Sequence, residues 1–332
     1  MNPLLDVRNL TTVFKTAQGP ARAIEHLSFS LNRGRTLGIV GESGCGKSVT
    51  ALSLLRLLDP AIARVESGQV LLDGVDLMSL DKRAMRRVRG REMAMIFQEP
   101  MTSLNPVFTI GFQIAEVLKI HCGMDTRAAR DRAVELLEKV CIPGASQRLG
   151  EYPHQLSGGM RQRVMVAMAL ALDPKVLLAD EPTTALDVTI QAQILALMTR
   201  LQQEQGTAIV LITHDLGVVA QFCDDVMVMY GGRAVELGPV ASIFAEPRHP
   251  YTRGLMVSRP HLGSRLRRLA TIEGTVPSLL QFPQGCRFQD RCRYAKDDCK
   301  AVEPKLLVDA RRVQIACYHP VLDPLEDEGV RD

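Results

Sequence analysis

Gly41-Glu42-Ser43-Gly44-Cys45-Gly46-Lys47-Ser48 is the stretch that decides the fold. The apolar run Thr36-Leu37-Gly38-Ile39-Val40 precedes it, and a helix-compatible stretch over 49–58 follows. Strand, glycine loop and helix in that order make a phosphate cradle. The glycines let successive backbone N–H groups turn inward, the helix start supplies positive potential, and a lysine reaches the outer phosphates. Gly41, Ser43, Gly44, Cys45, Gly46, Lys47, Ser48 and Val49 are therefore the candidate phosphate-binding residues, with the Ser48 hydroxyl placed for Mg²⁺. The alternative is a glycine turn that binds nothing. Such a turn has no use for the fixed glycine, lysine and serine positions together.

Composition narrows the class without choosing a partner. The 332 residues suffice for one large domain or two smaller ones. Hydrophobic content of 46% with 23% charged residues is ordinary for a soluble globular protein. Forty basic against 37 acidic residues leave a net +3, so charge selects no ligand. Lys82, Arg83, Arg86, Arg87, Arg89 and Arg91 form a basic cluster. Without interleaved aromatics it reads as a solvated helix face rather than a grip on nucleic acid or lipid headgroups. The first ten residues lack the basic-then-apolar layout of a signal peptide, and no apolar run approaches the ~20 residues that span a bilayer. The expectation is a cytosolic chain, or one held at a membrane by something else. The eight cysteines are not read as a disulfide set.

Short apolar runs alternate with helical patterns, which argues for an α/β fold with a mostly parallel sheet. Strands are expected at 36–40, 93–97, 176–179, 208–212 and 226–230. Three of them end at polar residues suited to chemistry: Gly41, Asp180, and Thr213 with His214. Open α/β sheets bind ligands at such strand ends. Residues 4–31 read as a β-rich lobe. From Gln98 to Leu172 the pattern turns helical, with Asp125 capping a helix whose apolar positions are Ala133, Leu136, Leu137 and Val140. A helix over 188–205 stops at Gly206. Prolines accumulate past 250, where a boundary is expected: residues 1–250 as one domain, with a helical part at about 99–172, and 251–332 as an extension.

A second set of motifs extends the first. Val176-Leu177-Leu178-Ala179-Asp180-Glu181 is a buried strand delivering two adjacent carboxylates. Strand side chains alternate, so the two must point differently, which suits Asp180 near Mg²⁺ and Glu181 toward an attacking water. Alone, such a run is often just a strand leaving the core. Leu156-Ser157-Gly158-Gly159-Met160 precedes a helix expected at 161–172; Ser157 can cap it, and two glycines leave its N–H groups open to an anion. Gln98 and His214 follow strands and complete a ring of polar residues.

Phosphate loop, Gln98, Leu-Ser-Gly-Gly-Met, Leu-Leu-Ala-Asp-Glu-Pro, Ala185-Leu186-Asp187 and His214 occur in the order found in ABC-transporter ATPase subunits, which the chain resembles over roughly 4–245. Met160 stands where many members carry Gln. The resemblance implies a P-loop NTPase with a RecA-like core, an antiparallel β lobe and a helical subdomain. It also implies a head-to-tail dimer in which Ser157, Gly158 and Gly159 press on the partner's nucleotide. It further implies that Phe14 stacks on adenine, or else packs within the β lobe. Glu181 would polarise water, His214 would hold the γ-phosphate, Gln98 would sense Mg²⁺ and water, and Ala185-Leu186-Asp187 would link the two sites.

Gln98 to Pro106, Tyr152 to Leu156 and Pro247 to Thr252 are similar to the oligopeptide/dipeptide importer branch, and to its D-type subunits most of all. That implies a second, F-type ATPase partner, two transmembrane permeases, an extracytoplasmic binding protein and no nucleic acid. The place of work would be the cytoplasmic face of the inner membrane. Residues 99–106 would face the permease. Relatives carrying nickel, glutathione or other small peptides share these motifs. A soluble ABC ATPase acting on DNA or ribosomes is a second reading, but those relatives carry two cassettes or a long coiled-coil insertion, and neither occurs here. A regulatory module without turnover is a third, opposed by Lys47, Asp180, Glu181 and His214 together.

Cys286, Cys292, Cys299 and Cys317 fall in a proline-rich segment with little apolar content, which points to a metal stapling a weak fold. Their intervals exceed those usual for zinc, and four thiolates also suit an iron–sulfur cluster. Similarity to the D-type subunits favours a [4Fe–4S] cluster, with zinc and free thiols as the alternatives. Cys122, Cys141 and Cys223 are expected as small core residues, and Cys45 as incidental to the loop.

Overall fold

A computed structural model of the chain describes residues 2–99, 103–183, 188–258, 271–309 and 311–323. It divides into two compact units. The first comprises Met1–Leu5, Leu31–Thr36 and Leu71–Ile212; the second comprises Asp6–Ser30, Leu37–Val70 and Thr213–Asp332.

The first unit is built on three parallel strands in the order Ala208–Ile212, Val176–Asp180, Met93–Ile96. Val176 pairs with Ala208 at one end and Asp180 with Ile212 at the other, while Met93 pairs with Val176. Every residue of these strands is buried. Strands covered on both faces need apolar side chains pointing both ways, which is why they read as unbroken hydrophobic runs.

Helices Ile110–Cys122, Thr126–Lys139, Gly158–Ala169 and Val188–Gln205 belong to the same unit. Thr126–Lys139 begins where the Asp125 carboxylate accepts the Ala128 N–H at 2.9 Å, and it buries Ala129, Ala133, Leu136 and Leu137 at helical spacing. Full burial of such a leucine contributes roughly 1.5–3 kcal/mol. Val140, just beyond, is also buried. In Lys82–Val88 the side chains of Lys82, Arg83, Arg86 and Arg87 are exposed and Met85 is buried, as a solvated basic face requires.

Two helices start earlier than their apolar patterns suggest. Lys47–Leu54 opens directly on Gly46, and Gly158–Ala169 opens on Ser157, whose hydroxyl accepts the Met160 N–H at 3.3 Å. First-turn N–H groups have no partner within a helix, so a cap and glycines can begin one where no apolar residue marks it. Cys122 and Cys141 are exposed rather than core; they end and follow their helices, and Cys141 adopts φ +57°. Cys223 is buried, as expected.

In the second unit the strands run in the order Leu307–Val308, Gln314–Ile315, Arg233–Pro239, Asp225–Tyr230, Thr36–Val40. Leu37 to Val40 lies parallel to Asp225 to Val228. The other pairings are antiparallel, with Glu236 opposite Ile315. Gln314–Ile315 thereby pairs with Arg233–Pro239, and only Asp225–Tyr230 separates that strand from the one leading into the phosphate loop. Strands Leu5–Thr16, Gly19–Leu31 and Ala63–Leu72 form the β-rich lobe.

Helix Pro250–Val257 is capped by His249, whose Nδ1 accepts the Tyr251 N–H at 3.1 Å while the His249 backbone N–H donates to the Glu236 carboxylate at 3.1 Å. Burial holds the His249 imidazole down to about 3. The unfolded chain therefore takes up a proton near pH 6.5 that the folded chain refuses, so stability falls as pH drops from 6.5 towards 3. Burial raises the neighbouring Glu236 carboxyl, whose contribution is instead lost as pH rises. Between pH 7 and 5 the histidine is expected to cost on the order of 2 kcal/mol. His249→Asn retains a capping acceptor without the titration. Urea midpoints at the two pH values should therefore shift less in this variant; equal shifts would refute the assignment.

Candidate functional site

The phosphate loop lies in the second unit and its shape is set by space. Gly41 adopts φ +152°, and a Cβ there would meet the Met229 carbonyl oxygen at 2.3 Å. Gly46 adopts φ +102°, and a Cβ would lie 2.7 Å from the Ala23 carbonyl oxygen. Neither position admits a side chain. Lys47 is 8% exposed, and its Nζ donates to the Gly41 and Glu42 carbonyls at 2.7 and 3.0 Å. The ammonium is thus held against the loop's own backbone, at the start of a helix whose dipole also favours an anion.

Ser48 and Val49 are half-buried on that first turn; Ser43 and Gly44 are exposed at the loop tip. Cys45 is fully buried, and burial raises its thiol. His214 is exposed and follows Thr213, whose N–H donates to Ile39 at 3.2 Å. Phe14 is half-buried in Leu5–Thr16.

The carboxylates lie in the first unit. Asp180, 3% exposed, ends its strand. Glu181 adopts φ +45° and donates its N–H to Ile212 at 2.9 Å. A non-glycine residue in that region costs on the order of 1–3 kcal/mol, and such strain concentrates where a side chain must be aimed. Gln98 Nε2 donates to Glu181 Oε2 at 3.2 Å, so two candidates 83 positions apart are brought together. Ser157 and Gly158 are exposed at the start of their helix and Gly159 is half-buried; open space lies where a Gly158 Cβ would be. Ala185, Leu186 and Asp187 lie outside the described residues, as do Pro100, Met101 and Thr102 of the expected permease-facing segment.

Three residues escaped the sequence reading. Gln162, 1% exposed on the Gly158–Ala169 helix, donates to the Pro182 carbonyl at 2.7 Å and ties that helix to the turn after Glu181. Tyr251 and Arg291 both hold Glu42 of the phosphate loop. A buried glutamine on a helix was the one local signal; the other two contacts leave none.

Residues 24–184 match the ABC transporter family, and residues 235–299 match the family described as oligopeptide/dipeptide transporter, C-terminal region. A peptide import ATP-binding protein of Brucella melitensis is 52% identical over 315 residues, covering 92% of this chain and 93% of that one. The oligopeptide transport ATP-binding protein OppD of Haemophilus influenzae is 53% identical over 306 residues, covering 92% and 94%. The chain belongs to the oligopeptide/dipeptide ABC transporter ATPases. Among solved structures, a dimeric ATP-binding cassette in a post-hydrolysis state with ADP and Pi superposes with a TM-score of 0.65 at 27% identity, over 71% of this chain and 98% of that one. The ABC ATPase fold, ATP binding and ATPase activity are those of the family.

One expectation is overturned. Relatives matching nine-tenths of this ABC ATPase are named as peptide import or oligopeptide transport ATP-binding proteins, names that give an iron–sulfur cluster no support. Nor do the four tail thiols gather within 4.8 Å of one another. Among the described residues, the metal-capable donors that gather within 4.8 Å of one another are those of Asp298, Cys299 and His319. Cys286, Cys292 and Cys317 are not in that group, and His319 Nε2 lies 2.8 and 2.9 Å from the two Asp298 oxygens. Burial pushes the Cys286 thiol up to about 12 and the Cys317 thiol up to about 11.

The segment has another staple. Phe288, 3% exposed, packs against Tyr230 and Tyr251 with ring centroids 5.1 and 5.3 Å away. Arg287 pairs with Glu25. Aromatic burial of this kind anchors the segment to the sheet and helix that carry Tyr230 and Tyr251.

The tight fit at Gly46 predicts that Gly46→Ala lowers MgATP affinity at least tenfold while the chain stays folded. Nucleotide titration with a circular dichroism control checks it; unchanged affinity would show that the loop tolerates a Cβ.

Proposed function

We propose that this ABC ATPase powers import of dipeptides or oligopeptides through two membrane permease subunits. The observation that carries the reading is the phosphate loop, shaped so that no Cβ fits at Gly41 or Gly46 and with Lys47 buried at its base. The names of the relatives support the cargo class. Among the described residues no helix is long and apolar enough to cross a membrane, so the transmembrane path would belong to partner chains. The second ATPase would be a heterologous F-type subunit. An extracytoplasmic binding protein would deliver cargo, and the chain would sit on the cytoplasmic face of the inner membrane. Residues 1–250 would form the cassette and 251–332 its extension.

Each candidate residue has a role in this scheme. Gly41, Ser43, Gly44, Cys45, Gly46, Lys47, Ser48 and Val49 wrap the phosphates, and Phe14 stacks on adenine. Ser157, Gly158 and Gly159 close on the partner's nucleotide; the exposure of Ser157 and Gly158 at a helix start suits an anion from another subunit. The buried Asp180 carboxylate and the half-buried Ser48 hydroxyl are hard oxygen donors of the kind Mg²⁺ prefers, so they fit that ion.

Glu181 orients water for attack on the γ-phosphorus, Gln98 steadies Glu181 through their hydrogen bond, and His214 holds the γ-phosphate. Phosphoryl transfer has a loose transition state, so positioning and charge stabilisation provide most of the rate.

Glu181→Gln should bind MgATP as the parent does and, in the assembled transporter, hydrolyse it at least about 100-fold more slowly, the scale expected of a water-orienting residue. Phosphate release measured on that complex decides the matter. A normal rate would remove Glu181 from its role.

A further inference from the structure

The second residue of the phosphate loop is tied at both ends to residues far along the chain. Glu42 donates its backbone N–H to the Tyr251 hydroxyl at 2.8 Å, across 209 positions. Its carboxylate receives Arg291 in a two-pronged pair at 2.7 and 3.0 Å, across 249 positions. The Arg291 side chain is 4% exposed and Tyr251 is fully buried. The Arg291 guanidinium also donates to the carbonyls of Glu273 at 2.9 Å and Gly274 at 3.2 Å, and lies 5.8 Å from the centre of the Tyr230 ring. The pair with Glu42 raises its pKa further. This arginine is therefore fixed before it meets the loop.

We infer that Arg291 and Tyr251 are positioning residues for MgATP, holding the phosphate loop in its binding shape through Glu42. The inference rests on the proposed nucleotide site and assigns the C-terminal segment a task within it. Two physical effects favour binding. First, the Gly41 and Glu42 carbonyls that receive Lys47 belong to the tethered residue and its neighbour, so loop order is established before the ligand arrives and is not charged against affinity. Second, a carboxylate beside a triphosphate site repels it unless a cation is paired with it, and a two-pronged arginine pair provides that cation. Both effects act equally on bound substrate and transition state. They therefore change KM and leave kcat nearly alone.

Full-length Arg291→Ala, Arg291→Lys, Tyr251→Phe, Glu42→Ala and the Glu42→Ala/Arg291→Ala double variant are titrated with MgATP. KM and kcat are then measured in the assembled transporter. Arg291→Ala should weaken MgATP binding about tenfold, equivalent to about 1.4 kcal/mol. Tyr251→Phe, which keeps its buried ring, should weaken it about threefold, with kcat within about twofold throughout. Arg291→Lys should recover part of the loss. In the Glu42→Ala background, Arg291→Ala should add nothing, because the pair acts as a unit.

Binding within about twofold of the parent in both Arg291→Ala and Tyr251→Phe would overturn the inference, as would losses that multiply in the double variant. If Arg291→Ala does not fold, Tyr251→Phe alone decides. A parent chain that fails to bind MgATP would instead overturn the nucleotide site itself, and this inference with it.

Discussion

Close approach of backbone to backbone at Gly41 and Gly46 is the constraint on which the rest depends. A carbonyl oxygen occupies the space where either residue's Cβ would stand, 2.3 Å away in one case and 2.7 Å in the other. The loop can therefore turn its N–H groups inward only because these positions lack side chains. Lys47 is trapped at its base against two of the loop's own carbonyls. A strand is needed before the loop and a helix after it, and the parallel pairing of Leu37–Val40 with Asp225–Val228 braces that strand.

The first unit meets a different requirement, the aiming of carboxylates. A fully buried strand carries Asp180 to its end, and the backbone then bends into a costly conformation at Glu181. Gln98 and Gln162 hold this bend, one on the carboxylate and one through the Pro182 carbonyl. Rigid, fully buried strands can bear such strain, because the packing around them leaves no lower alternative.

The C-terminal segment is weakly apolar, yet ring packing, strand pairing and an ion pair tie it to the rest of the second unit. Phe288 packs against the touching rings of Tyr230 and Tyr251, Gln314–Ile315 adds to the sheet of the second unit, and Arg291 reaches Glu42. Cys286, Cys292 and Cys299, with Cys317 further on in a proline-rich tail, suggested a metal, and similarity to D-type subunits favoured a [4Fe–4S] cluster; sequence records spacing and not side-chain packing. Two aromatic residues contributed from 230 and 251 supply apolar surface that the tail itself lacks.

What the sequence alone determined is what depends on near neighbours. Glycine spacing in 41–46, the unbroken apolar runs ending at Asp180 and Ile212, the Asp125 cap and the Gly206 stop are local, and each appears within about one residue of its expected place. Helix starts at Lys47 and Gly158 were less legible, because capping and not apolar periodicity begins them. Only the tertiary structure decided the contact of Gln98 with Glu181, the grip of Tyr251 and Arg291 on Glu42, the exposure of Cys122 and Cys141, and the meeting of Cys299 with Asp298 and His319. Those depend on which distant segments are brought together by burial of apolar surface. Burial is non-directional and leaves no trace in the order of residues along a chain.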